Sequence, residues 1–276
     1  LSASPAMSNN NIEELWAKLA KEMCSATESE IKAKSYQVLH KEILDKLDPA
    51  YSSYLKTALD EASREQSWYS FFREANGLPL KFIVLNSSLP DDEEQFQWFL
   101  NELKQFSGPK IILDHYPPYS IGTHGCKHLL DSNSLESRFR DRYTRFFNDE
   151  SHNVVLIING HDHNYQKFCR ASVAGDVQLP VYIISGGGGA NLGGKGECDI
   201  SQIPLGNFRC AEFVSAYHFL DVIVDTDEKN RVIFTCKVLG RRYDTTQDMP
   251  DDATFKKDFV KDRLELVDDF TLHWQK

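Results

Sequence analysis

A chain of 276 residues, 41% apolar and 26% charged, is long enough for one α/β domain with appendages and apolar enough to fill its core. A net charge of −10 and a pI near 5.4 argue against a nucleic-acid surface and disfavour anionic membranes, although a local cationic site can still hold phosphate. No run approaches the roughly 18–20 apolar residues of a spanning helix, LSASPAMSNN has neither a basic nor an apolar leader region, and the six cysteines form no CxxC, so a soluble chain of open compartment is expected.

Residues 1–66 read as a helical amino-terminal segment or insertion. Ile12, Leu15, Trp16, Leu19 and Met23 repeat at helical spacing, Tyr36, Leu39, Ile43, Leu44 and Leu47 do so before Pro49, and Tyr51, Tyr54, Leu55, Ala58 and Leu59 after it. From 67 to 245 the pattern changes to short apolar strands that each run into a loop rich in Gly, Pro, Asn or His. KFIVL (81–85) ends in Asn-Ser-Ser, KIIL (110–113) in Asp-His-Tyr-Pro-Pro, NVVLII (153–158) in Asn-Gly-His-Asp-His-Asn, and VYII (181–184) in Ser and four glycines. Between the first two lies an amphipathic helix with an acidic start and Phe96, Phe99, Leu100 and Leu103 on one face. Strand, helix, strand implies parallel crossovers, which bring the polar loops to the carboxyl edge of one sheet, where such sheets bind ligands. YHFLDVIVD and RVIFTCKVL form a hairpin of a second sheet, and 246–276 reads as a charged tail, helix or arm.

The chemistry concentrates in those loops. His161 and His163 flank Asp162 after the most apolar strand, and a spacing of two puts both imidazoles on one side of an extended segment. His115 follows a second strand, Pro117 and Pro118 stiffen its exit, and His124 lies on the same loop beside Gly125. His40, His128, His152, His218 and His273 fit no such pattern and read as structural or exposed. Ser185 precedes four glycines, but there is no G-x-S-x-G and no P-loop ending, so the glycines read as a close backbone approach.

DHYPPYSIGTHG (114–125), GHDHNYQ (160–166) and SGGGGANL (185–192) together resemble the carboxyl-terminal half of the calcineurin-like metallophosphoesterases, most of all the purple, tartrate-resistant acid phosphatase branch. WYSFF (68–72) and the hairpin fit the same pattern, over roughly 67–240. The resemblance implies a four-layer α/β/β/α sandwich of mixed sheets, incomplete on its amino-terminal side. It implies metal-dependent hydrolysis of a phosphate ester, whether a small molecule or a phosphorylated substrate, with two divalent or trivalent ions (iron, zinc or manganese). In its terms His115 and His161 bind one metal and His163 the other, His124 contacts the phosphate and protonates the leaving group, and Asn164 also contacts substrate.

The family's first-strand Asp, its Gly-Asp with the bridging carboxylate and its Gly-Asn-His are absent. Gly175-Asp176 and Gly206-Asn207 both fall downstream, Asp114 stands where the family usually has Gly, and Asn86 where it often has Asp. Two readings account for this. Either the missing motifs precede this sequence and 1–66 is an insertion behind them, or the first half is lost, the helices cover the sheet, and what is left is a noncatalytic interaction module or a single-metal site.

Overall fold

The computed structural model describes residues 67–170, 178–189, 191–197, 199–203, 205–228, 231–242 and 264–275. The expected amino-terminal helices of 1–66 lie outside the described residues.

Strands β1 (Tyr69–Ala75), β2 (Leu78–Val84), β3 (Lys110–Leu113), β4 (Val154–Asn159), β5 (Tyr165–Arg170), β6 (Val181–Ser185) and β7 (Phe208–Val214) form a seven-stranded mixed sheet in the order β1-β2-β3-β4-β6-β5-β7. Its centre, β2-β3-β4-β6, is parallel, as the crossovers require, so the carboxyl ends of these four strands share one edge. The outer pairs are antiparallel. A second, three-stranded sheet consists of β8 (Ala216–Thr226), β9 (Val232–Arg242) and β10 (Glu265–Trp274) in the order β10-β9-β8, the first two being the expected hairpin.

Side-chain alternation along each strand decides which layer it meets. Ile112 and Ile157 face a core shared with helix α1 (Glu93–Lys104) and helix α3 (Leu135–Phe147), while Ile111, Leu156 and Ile183 face Val232, Phe234, Cys236 and Val238 of the second sheet. The result is an α/β sandwich with two stacked sheets. An outer helix layer on the three-stranded sheet is not among the described residues, nor is any helix long and apolar enough to cross a membrane.

Helix α1 starts where Asp92 Oδ1 accepts from Gln95 N at 2.9 Å, with Glu93 and Glu94 against the positive end of the dipole, and it buries Phe96, Phe99 and Leu103. The Gln95 side chain is fully buried and ties the loop after β2 to this helix: its Oε1 accepts from Asn86 N at 2.7 Å and its Nε2 donates to Leu89 O at 3.1 Å. Helix α3 starts at Ser134, whose Oγ accepts from Ser137 N at 3.1 Å, and buries Phe139, Tyr143 and Phe147 at intervals of four. Each of these rings contributes about 1.5–3 kcal/mol by leaving water.

The stretch read as a charged tail, 246–276, instead supplies the strand β10. Val267 and Leu272 are buried against the core between the sheets, and a register shift between Leu266 and Asp268 lets Asp268 accept from Tyr165 Oη at 2.7 Å and Lys167 Nζ at 2.6 Å. Its charges alternate with apolar residues, and that alternation makes it an edge strand rather than an arm.

Candidate functional site

His115 leaves β3 directly, and His161 and His163 follow β4 after Gly160. Gly160 N donates to His115 O at 3.2 Å, so the two loops are laced together at the carboxyl edge. The ring centroids of His115 and His161 lie 5.3 Å apart, and His124 sits 5.5 Å from His161 and 5.6 Å from His163. The four histidines nominated from the sequence therefore meet at one edge of the seven-stranded sheet.

The geometry behind this differs from the expected extended segment. His161 adopts a left-handed φ of 69°, and tight turns follow, with Asp162 N bonding Gly160 O at 2.9 Å and Asn164 N bonding Asp162 O at 2.8 Å. A histidine in this region is uncommon and concentrates at functional positions. What holds the turn is Asp162, which the spacing argument treated only as a spacer. Its fully buried carboxylate accepts from His124 N and Gly125 N, each at 2.9 Å, and from Ser120 Oγ. The Gly-His-Asp-His loop thus fixes the backbone that carries His124.

Two glycines are required for this closeness. A Cβ on Gly186 would meet Asp162 O at 2.0 Å, and one on Gly122 would meet Asp162 Cγ at 2.5 Å. Close backbone approach, rather than a phosphate cradle, is what the four-glycine run begins with.

Each histidine is prepared differently. His163 Nδ1 donates to Asn191 O at 2.8 Å, and a backbone carbonyl on one ring nitrogen is what commonly orients an imidazole that ligates metal through the other. His115 is held below the ordinary histidine range by burial and then by the neighbouring His161 and His163, against the opposing pull of Glu136, so it stays neutral near pH 7. Asn164 is fully buried: its Nδ2 donates to Gly193 O at 3.3 Å and its Oδ1 accepts from Gln166 Nε2 at 2.8 Å, so both ends of the amide are engaged within the protein.

Two residues not singled out in the sequence complete the cluster. Glu136, in the first turn of α3, has a buried side chain, and its Oε1 lies 2.8 Å from His128 Nδ1 and 3.3 Å from His161 Nε2. Burial raises the Glu136 carboxyl, but the adjoining His161, its own backbone N–H and His128 outweigh burial and hold it at about 2. The His161 contact lacks hydrogen-bond geometry, so His161 Nε2 is buried without a hydrogen-bond partner. His128, read as structural or exposed, closes helix α2 (Gly125–His128). A glutamate in a helix's first turn is ordinary, and nothing in its spacing marks it as part of the cleft.

Asp114 shares the face of Ile112 by strand alternation, its oxygens are buried without partners, and burial pushes its carboxyl well above the usual range. Ser185 Oγ lies 3.0 Å from His218 Nε2, while His218 Nδ1 faces Ala216 O at 2.9 Å rather than a carboxylate, and His218 is buried. A serine–histidine pair without an acidic partner or access to solvent does not make an acyl-transfer site.

The donor set fits a metal ion: five imidazoles and one ionised carboxylate gather here, of which His128, Glu136 and His161, rather than the expected His115, His161 and His163, bring their ligand atoms within 4.8 Å of one another, and histidine nitrogens with a carboxylate suit zinc, iron or manganese. It does not supply the bridging carboxylate that a second ion needs, because Asp162 is occupied by backbone amides and Glu136 lies beside His128 and His161 alone.

No family model matches the chain, and no curated protein matches it. Among solved structures it is similar to a purple acid phosphatase isolated from yellow lupin (Lupinus luteus) seeds, at 14% identity and a TM-score of 0.48, over 77% of this chain and 33% of that one. It is also similar to a putative 5'-nucleotidase from Staphylococcus aureus, at 14% identity and a TM-score of 0.34, over 70% of this chain and 33% of that one. The chain spans about a third of the length of each.

Proposed function

We propose that the histidine cleft hydrolyses phosphate esters with the help of bound metal. The single observation that carries the reading is the convergence of His115, His161, His163 and His124 at the carboxyl edge of the parallel strands, within ring distances of 5.3–5.6 Å from one neighbour to the next. His115, His161 and His163 hold the metal, as iron, zinc or manganese. When bound, a metal of this kind supplies Lewis-acid polarisation of phosphoryl oxygens and a hydroxide at neutral pH. A two-metal version of the site needs a bridging carboxylate beyond those the described residues bring to the cleft.

The chain's own residues do the rest. His115, held below the ordinary histidine range, offers a lone pair to the metal, and His163 is oriented by its Nδ1 bond to Asn191 O. His124 lies between His161 and His163 with its backbone locked by Asp162, so its imidazole faces a substrate held there and donates a hydrogen bond to a phosphate oxygen or a proton to the leaving alkoxide. Asn164 acts through position: by tying Gly193 to Gln166 it keeps the glycine loop against the histidine turn.

The test is hydrolysis of an aryl phosphate by the full chain, stripped with a chelator and then resupplied with zinc, manganese or iron. Expected is turnover that vanishes on stripping and returns with metal. Metal-independent turnover would overturn the role of the metal. Absence of turnover with every metal, despite metal binding, would favour a noncatalytic phosphate-binding module.

A further inference from the structure

We propose that His128, Glu136 and His161 form a single-ion site for a zinc-like divalent cation, opening into the cavity beside α3. The inference deepens the proposed function and rests on it in sharing His161, whose Nε2, the one lone pair a neutral imidazole offers, goes here to the ion beside Glu136 and His128 rather than to one held with His115 and His163; neither His128 nor Glu136 belongs to the ligand set drawn from the sequence.

Among the described residues, this trio brings three ligand-type atoms within 4.8 Å of one another. The spacing is that of co-ligands. Donor atoms 2.0–2.1 Å from a tetrahedral zinc stand about 3.3 Å apart, and His161 Nε2 lies 3.3 Å from Glu136 Oε1. His128 Nδ1, at 2.8 Å from the same oxygen, needs to withdraw by only a few tenths of an ångström, and its half-exposed side chain is free to do so.

An independent observation points to a missing partner. His161 Nε2 is buried and has no hydrogen bond, although a carboxylate oxygen is near, because the approach is wrong for an N–H donor. A buried imidazole nitrogen left this way is destabilising, and a cation between the ring and the carboxylate removes that cost. The Glu136 carboxylate, with its side chain only 4% exposed, likewise gains from a full positive charge at close range.

The third feature is access. Tyr116, His128, Ser134, Glu136 and His161 line a cavity of about 340 Å³. Three protein donors plus one open position facing a cavity is the arrangement of zinc sites that keep a water or substrate in the fourth place. Two histidines and a glutamate are the donor types such sites use.

Co²⁺ is the probe, because its visible bands report four-coordinate geometry without any assay of turnover. The full chain is stripped, titrated with Co²⁺, and compared with His128→Ala, Glu136→Gln and the distant control His273→Ala, with far-UV circular dichroism confirming that each variant is folded. His128→Ala, at a half-exposed position, keeps the test interpretable should Glu136→Gln fail to fold. Expected are tetrahedral Co²⁺ bands in the wild type and the control, and an affinity loss on the order of 100-fold or more in His128→Ala and Glu136→Gln, since even an outer-shell partner is worth 10–100-fold. Absence of Co²⁺ binding by the wild type, or unchanged affinity in the two variants, would overturn the site. If Co²⁺ binds in this pattern but no phosphate ester is hydrolysed, the ion site stands and the functional reading fails. Metal-dependent hydrolysis indifferent to both substitutions would have the opposite meaning.

Discussion

At the scale of single residues, Asp162 matters most after the histidines it separates. A carboxylate between two metal-ligand candidates invites a reading as a third ligand, yet both of its oxygens are buried and accept from His124 N, Gly125 N and Ser120 Oγ. Its removal would leave the buried Gly125 N–H unpaired, at about 1–3 kcal/mol, and free the partly buried His124 N–H at a smaller cost. Asp162→Ala should therefore lower the unfolding free energy in urea by about 2–4 kcal/mol, and the turnover of the folded fraction should fall with it as His124 loses its position. A loss below about 0.5 kcal/mol, the range of an uninvolved surface substitution, would show that the network is not what holds the turn.

At the scale of elements, the parallel strands carry the site and also two buried lysines. Lys110 opens β3 fully buried, with Nζ donating to His152 O at 2.7 Å and no carboxylate paired with it among the described residues, whereas Lys81 on β2 pairs with Glu102 at 2.8 Å. Burial, and then repulsion from Lys81, push the Lys110 ammonium down to about 8 from 10.5. Between these two values the unfolded chain binds more protons than the folded one, so stability rises with pH across the window and is flat below it on this account. The unfolding free energy of the wild type, measured against Lys110→Met from pH 7 to pH 10, should climb relative to the variant above pH 8. Parallel curves would mean that Lys110 titrates alike in both states.

The same scale explains what the sequence made legible. KIIL and VYII mark β3 and β6 because buried parallel strands are continuous apolar runs, and the amphipathic stretch marks α1 because its apolar residues share one helical face. Helix α3 was harder to see, since LESRFRDRYTRFF is rich in arginine and its inward face is only the stripe Phe139, Tyr143, Phe147. Strand β5, YQKFCR, follows the histidine turn with too little apolar character to stand out, and β10 hides among charges. Glu136 was invisible for the same reason as α3: its burial against His161 is a tertiary fact, made by the loop between β3 and β4 folding back over the sheet edge.

At the scale of the whole molecule, the described residues form two stacked sheets with helices against the seven-stranded one, and loops from β3, β4 and β6 meet at its carboxyl edge. Motif order along the chain was enough to anticipate that meeting, because parallel strands share their carboxyl edge whatever their loops contain. The local turn that aims His161, the role of Asp162 and the nearness of Glu136 were not anticipated, since each depends on contacts between loops distant in sequence. What the edge does with its histidines is most directly tested by measuring bound metal and aryl phosphate turnover in the same preparations of wild type, His161→Ala and His124→Ala. Expected is loss of both metal and turnover in His161→Ala, whereas His124→Ala keeps its metal and loses about 10²- to 10⁴-fold in rate, the usual contribution of a positioned acid. A His161→Ala protein that retains metal and turnover would contradict the assignment of this cleft as the metal site of a hydrolase.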